Sequence, residues 1–188
     1  MNVIAGATKD LTAELYQQVS QYRHRVFVEM LGWELNAQNG MEFDQFDHDN
    51  ALYVVAQDDN GRVNGCARLL PTDQPYLLGE VFPQLLNGLP PPCTSDVWEL
   101  SRFAAVDFAH RTSSAMGQFS SPIAIGLLQK SIEYAASQGA RRIITVSPIG
   151  VERLLRRAGF RAHRAGPPMI VGGHPIFACW IECDEGEN

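Results

Sequence analysis

The chain has 188 residues, the size of one domain, and one continuous domain over 1–188 is expected. Its 45% hydrophobic and 19% charged residues supply a core and exclude a disordered, collagen-like or coiled-coil chain. The net charge of −6 argues against a general nucleic-acid binder. No apolar run nears the roughly 20 residues that span a bilayer and the first residues carry no signal-peptide pattern, so a cytoplasmic protein with no membrane contact is expected.

Leu11, Leu15, Val19, Val26 and Met30 recur at helical spacing and predict an amphipathic helix over 11–31, ending before Gly32. Arg23 and Phe27 share one face of it. Residues 34–50 are acidic with interleaved aromatics, the pattern of an ordered loop. Segments 51–57 and 62–70 read as two antiparallel strands around Asn60-Gly61, a strong hairpin-turn signal. Residues 71–96 hold six of the eleven prolines and predict irregular chain with a short helix around 79–86. The run 97–105 reads as a strand despite its charged residues. Ser120, Ser121 and Pro122 open a helix with the stripe Ile125, Leu128, Ile132 and Ala135, closed by Gly139. A buried strand (140–148), a short helix ending at Gly159 and a final strand (175–183) follow, and the tail is acidic and frayed. This order predicts an α/β fold: a mixed, mostly antiparallel central sheet flanked by helices.

The four cysteines form no CxxC pair, and no two of the five histidines have HxxxH spacing, so neither a disulfide framework nor a metal site is expected. A dinucleotide fingerprint, a phosphate-binding P-loop and a serine-hydrolase elbow are all missing from the sequence. Charge is segregated. Eight acids and no Lys or Arg lie between Glu29 and Asn60, whereas seven arginines and the single acid Glu152 lie between Arg141 and Arg164. The first stretch should attract cations and the second anions, although each alone also reads as a solvated face. Thirteen of the fifteen basic residues are arginine, which suits bidentate carboxylate or phosphate recognition. Arg68, Glu99 and Arg102 lie in strands, where an isolated buried ion is strongly disfavoured, so each is expected to meet an opposite charge. On an ideal strand Glu99 and Ser101 face one side and Arg102 the other, so a bulge or splay is needed to bring all three to one cleft.

Four blocks of the sequence resemble a known family. Arg23, Phe27 and Trp33, then Glu42-Phe43-Asp44-Gln45-Phe46-Asp47, then Arg68-Leu69-Leu70-Pro71-Thr72, then Glu99-Leu100-Ser101-Arg102-Phe103 resemble, in order and spacing, the acyl-homoserine-lactone synthases, the LuxI-type autoinducer synthases. The resemblance spans about residues 23–103, and VERLLRRAGF (151–160) also resembles the helix ending of the GCN5-related N-acetyltransferases. It implies a fold similar to that superfamily, whose sheet splays to admit an acyl-pantetheine arm. Arg111 to Gly117 departs from the superfamily's usual pyrophosphate-binding loop, which counts against coenzyme A.

The activity implied is transfer of an acyl group from acyl-acyl carrier protein to the amine of S-adenosylmethionine, then lactone closure with release of 5′-methylthioadenosine. S-adenosylmethionine is a substrate, and no cofactor is implied. Trp33 and Phe27 would pack on its adenosyl and sulfonium part beside the acidic loop. Arg23 would be a counter-ion for its carboxylate or for Asp44 and Asp47, and Phe82 and Phe103 join this substrate-binding set. Glu99 would accept the ammonium proton, with Ser101 assisting at the oxyanion. Arg102 and Arg68 would organise the charge cluster, since guanidinium does not deprotonate in proteins. Leu100, Met116, Thr145, Ser147 and Trp180 are candidates for the acyl pocket, with core packing the alternative for each. Arg141, Arg142, Arg153, Arg156 and Arg157 would dock the acidic carrier protein. An ordinary N-acetyltransferase using acetyl-coenzyme A on a small amine, and a silent effector-binding module, are the rival readings.

Overall fold

In the computed structural model, which describes residues 2–109, 121–149 and 151–183, the chain begins with a strand that periodicity did not predict. β1 (Asn2–Ala7) pairs antiparallel with β4 (Leu52–Gln57), from Asn2↔Gln57 to Ala7↔Leu52. Its residues do not alternate cleanly between apolar and polar, so its partner rather than its own pattern makes it extended.

Contacts along the chain fall into two compact units, residues 1–68 with 102–131 and residues 69–101 with 132–188. In the first, α1 (Ala13–Arg23) is capped by Thr12, whose hydroxyl accepts the Leu15 N–H at 3.2 Å. The stripe Leu15, Val19, Tyr22, Val26 and Phe27 is buried. The expected single helix over 11–31 changes character after Arg23, because His24–Met30 is π-helical. There the Leu31 N–H reaches the Val26 carbonyl at 3.0 Å and the Trp33 N–H reaches that of Phe27 at 2.9 Å. The chain turns back over this wide turn, and Trp33 stacks on Phe27 with ring centroids 5.1 Å apart.

The acidic segment is an ordered loop carrying the short ladder of β2 (Ala37–Gln38) and β3 (Met41–Glu42). β4 and β5 (Val63–Pro71) are the two strands expected beside Asn60-Gly61. The turn itself differs from the two-residue type: Asp58 Oδ1 accepts the N–H groups of Asn60 and Arg62 at 2.9 and 2.8 Å, and of the pair only Gly61 has positive φ, 74°. An aspartate-braced loop over 58–62 makes the connection instead.

In the second unit the proline-rich stretch holds α2 (Leu77–Val81) and a 3-10 turn at Pro83–Leu86. β6 (Val97–Ala104) follows and, like β5, runs from one unit into the other. α3 (Pro122–Ser137) starts where Ser121 Oγ accepts the Ala124 N–H at 3.1 Å, so of the two serines offered by the sequence Ser121 is the cap; Ser120 lies outside the described residues. β7 (Arg142–Pro148) and α4 (Val151–Arg157) lie close to their expected bounds. β8 (Ala162–Arg164) and β9 (Met169–Val171) are too short for a periodic signal, and both pair with the final strand β10 (His174–Glu182). The fold is mixed α/β with a mostly antiparallel sheet flanked by helices, β6 and β7 being a parallel pair. Their ladder runs from Val97↔Arg142 to Leu100↔Thr145 and stops, although β6 continues to Ala104 and β7 to Pro148.

Gly166, between β8 and β9, lies so close to the 3-10 turn that a Cβ there would sit 2.3 Å from the Leu85 carbonyl oxygen. Gly166→Ala is expected to push these segments apart and to cost about 1–3 kcal/mol, as overpacking does. A urea midpoint equal to that of the parent protein would contradict this close approach.

Candidate active site

α1, the acidic loop and the strands β4, β5 and β6 bring three arginines and three carboxylates together, all within the first unit. Arg23 donates from Nε to Glu42 Oε2 at 2.6 Å and makes a bidentate pair with Asp47 at 2.8 and 2.9 Å. Arg68 makes a bidentate pair with Asp44 at 2.5 and 3.0 Å and donates to Asp47 at 2.7 Å. Arg102 Nη2 reaches Glu42 at 2.9 Å and Asp44 at 2.8 Å. Each arginine therefore bridges two carboxylates and each carboxylate two arginines. The six form a closed ring of alternating sign, Arg23, Glu42, Arg102, Asp44, Arg68, Asp47, and its formal charges cancel.

Local structure explains how the sequence reaches this ring. The loop folds on its own acids: Asp47 Oδ2 accepts the Asp44 N–H at 2.8 Å and Asp44 Oδ1 accepts the Phe46 N–H at 2.9 Å. Arg102 has φ of 51°, a left-handed residue within β6 that breaks the alternation of the strand. Its guanidinium stands 5.8 Å from the Phe27 ring centroid, and that of Arg68 stands 5.7 Å from Phe46. Tyr53 accepts from Arg23 Nη1 at 2.7 Å and donates to Asp47 Oδ1.

The opposite charges expected for Arg68 and Arg102 are thus the loop carboxylates. Of the three, Asp44, with 14% of its side chain exposed, is the most open. Of the two roles left open for Arg23, the structure shows the pairing with Asp47. Glu42 and Tyr53 were missed as site residues. Glu42 sat in the quoted EFDQFD block, whereas Tyr53 was read as one more apolar strand position; an arginine count equal to the acids of that block was the available signal for Glu42.

Glu99 belongs to the second unit and is buried. Its carboxylate accepts the backbone N–H of Leu77 at 3.1 Å and of Leu78 at 2.6 Å. The sequence expectation for Glu99 is an opposite charge; these backbone donors are partners it does not include. Burial, then the Glu99 charge, push the Tyr76 hydroxyl above its ordinary range. Ser101 is buried and Phe103 half-buried on the same strand, and Phe82 is half-buried after α2. Glu99 and Ser101 belong to the second unit and Arg102 to the first.

The acyl-pocket candidates divide between two faces. Cross-strand partners share a face, and the registers Leu100↔Thr145, Thr145↔Cys179 and Ser147↔Phe177 put Leu100, Thr145 and Ser147 together. Trp180 pairs with Ile144, and Ile144 with Glu99, on the opposite face. Arg142 lies 4.3 Å above the Trp180 ring and 3.2 Å from Glu182. Trp180 thus lies apart from Leu100, Thr145 and Ser147, and Met116 lies outside the described residues. Among the docking candidates Arg141, Arg156 and Arg157 are exposed. Arg156 also pairs with Glu152 at 2.9 Å, while the Arg153 side chain lies outside the described residues.

Burial alone would raise the pKa of Asp47, but the charges and hydrogen bonds of Arg23 and Arg68 outweigh it and hold the carboxyl well below the usual carboxylate range. A depressed native value contributes stability that is fully present above the unfolded value of about 3.9 and is lost as pH falls through the native one. Asp47→Asn is expected to cost about 3–5 kcal/mol near neutrality and to flatten the loss of stability below about pH 4. Chemical denaturation at stepped pH reads both; acid-limb slopes that stay parallel would remove Asp47 as a source of acid lability.

Comparison with known proteins adds to this geometry. The family model described as autoinducer synthase matches residues 8–188. An acyl-homoserine-lactone synthase of Acinetobacter nosocomialis is 58% identical over 97% of this chain and 100% of its own. The crystal structure of TofI in a ternary complex with an inhibitor and MTA superposes with a TM-score of 0.84 at 43% identity, over 98% of this chain and 92% of that one. BjaI, a CoA-dependent acyl-homoserine lactone synthase solved with SAM and isopentyl-CoA, gives 0.83 at 26%, over 97% and 83%. An acyl-CoA N-acyltransferase from Pseudomonas aeruginosa, at 17% identity and a TM-score of 0.61 over 95% and 97%, shares the fold alone. A family match over residues 8–188 and 58% identity along nearly the whole chain join the four sequence blocks and the sheet topology in one conclusion: the chain belongs to the autoinducer synthase family, and is an acyltransferase of the acyl-homoserine-lactone synthase kind.

Proposed function

We propose that this acyltransferase takes its acyl group from acyl-acyl carrier protein and its amine from S-adenosylmethionine, and makes a quorum-sensing lactone in the cytoplasm without a cofactor. The observation that carries the reading is Glu99, a buried carboxylate on β6 one residue before the parallel ladder with β7 ends. The SAM and MTA held by the neighbours BjaI and TofI support the amine donor. The Phe27–Trp33 stack suits the adenosyl group and the sulfonium, through ring packing and cation–π attraction. The α-ammonium of the substrate gives its proton to Glu99, directly or through one water. The freed amine attacks the thioester carbonyl, the tetrahedral oxyanion collapses with cleavage of the C–S bond, and the carrier thiolate leaves and takes up the second amine proton as thiol while the amide forms. In the second step a methionyl carboxylate oxygen attacks the carbon that bears the sulfonium. The C–O bond forms, the C–S bond breaks and 5′-methylthioadenosine departs, so the protein chiefly enforces a folded substrate.

The backbone N–H groups of Leu77 and Leu78 donate to the Glu99 carboxylate and fix its position. Leu100, Thr145 and Ser147 share the other face and suit the acyl chain. The alternative donor is acyl-coenzyme A, favoured by the CoA dependence of BjaI; the departure of residues 111–117 from the usual pyrophosphate loop speaks for the carrier protein.

Glu99→Gln is expected to lower kcat by about two to four orders of magnitude while S-adenosylmethionine still binds by calorimetry; turnover within a few fold of the parent would remove Glu99 from the chemistry. Charge reversal at Arg156 and Arg157 should raise KM for acyl-carrier protein by roughly tenfold and leave KM for S-adenosylmethionine unchanged. Equal effects on the two constants would refute a docking role.

A further inference from the structure

The surface of the second unit carries an apolar feature that neither the core nor the charge pattern accounts for. β7, β10 and β9 end side by side. The ladder of β10 with β7 begins at Ile176↔Pro148, the Ile149 N–H donates to the Pro175 carbonyl at 3.2 Å, and β9 pairs Pro175↔Ile170 and Ile176↔Met169. Ile149, Pro175 and Ile170 thus form one row across three strands, and Pro148, Ile176 and Met169 form the row on the opposite face. Ile170 is 78% exposed, Ile149 45% and Met169 39%. An apolar ribbon open on both faces costs solvation unless a partner covers it.

Its neighbours along the chain name that partner. α4 begins two residues after Ile149 and carries exposed Arg156 and Arg157, while β8, next to β9 along β10, carries exposed Arg164. Glu152 is already paired with Arg156 and Arg164 at 2.9 and 2.8 Å. An apolar strip beside arginines, in a chain of net charge −6, fits an acidic protein with an apolar patch on its contact face. Ile149, directly after β7, also lies four residues beyond Thr145, about 13 Å of extended chain. A carrier seated on the ribbon would therefore deliver its thioester arm along the face that holds Thr145 and Ser147.

We propose that the Ile149–Pro175–Ile170 row is the apolar half of the docking surface for the acyl-carrier protein, the arginines of α4 and β8 being the polar half. This rests on the carrier protein being the acyl donor. The test uses the full chain, with carrier protein loaded with hexanoyl, octanoyl, decanoyl or dodecanoyl groups and with the corresponding CoA thioesters. Ile170→Glu and Ile149→Glu should each raise KM for the acyl-carrier protein roughly tenfold. KM for S-adenosylmethionine, kcat and any turnover of the CoA thioesters should stay as in the parent, whose circular dichroism and melting the variants should retain. Absence of parent turnover with every loaded carrier protein would overturn the donor reading itself. With that turnover present, an unchanged KM in both variants would overturn the ribbon alone. An equal rise for CoA thioesters would assign the row to the acyl slot and overturn docking. Light scattering supplies the last arm: a parent dimer that Ile170→Glu makes monomeric, with KM unchanged, would make a second copy of the chain the occupant and overturn the carrier.

Discussion

Three arginines buried with three carboxylates can exist only because each cation touches two anions and each anion two cations. Removing water from six charges is costly, and partial pairing would leave at least one ion with neither solvent nor partner. Closure of the ring at Arg23, Glu42, Arg102, Asp44, Arg68 and Asp47 satisfies that constraint. It also explains why a segment as acidic as 34–50 is ordered. The loop cannot detach without exposing Arg23 and Arg68 to an apolar surrounding, so its acids fasten it instead of repelling one another. The left-handed conformation of Arg102 follows from the same demand, since a regular strand would not aim that guanidinium at both Glu42 and Asp44.

The ring matches three of the five acids in 34–50, Glu42, Asp44 and Asp47, with three arginines, and leaves the other two outside it. Near it stand the partly exposed edge of Asp44 and the stacked rings of Phe27 and Trp33. The π-helical turn before them has a positional use, since the wide turn brings Trp33 back over Phe27. In the second unit, alternation along a single strand separates two environments. Glu99 lies on one face, with its carboxylate on backbone N–H groups, and Leu100 lies on the other with Thr145 and Ser147.

Much was legible in the chain because periodicity and punctuation are local properties. The helix over 122–137, the strands around residue 60, the charged strand from Val97 and the order of elements follow from spacing, capping serine, proline and glycine. The charged strands also marked Arg68, Glu99 and Arg102 as residues in need of opposite charge, since a strand cannot bury an isolated ion, and for Arg68 and Arg102 the loop carboxylates supply it. β1, β8 and β9 escaped because their extension depends on a partner strand distant in sequence, and the π-helical turn because its residues have ordinary helical spacing up to Arg23.

By itself, then, the sequence determined the fold class, the set of residues that needed counter-charges and, through four ordered blocks, the family. Which charge meets which was decided only in three dimensions: Glu42 as a member of the ring, Tyr53 as its hydroxyl partner, the backbone N–H groups of Leu77 and Leu78 as donors to Glu99, and Trp180 on the face away from Thr145. The physical reason is the same in each case. A charge or polar group announces that it must be satisfied, but its partner is chosen by strand register, by one left-handed residue and by loop closure, which are set by the packing of segments far apart along the chain.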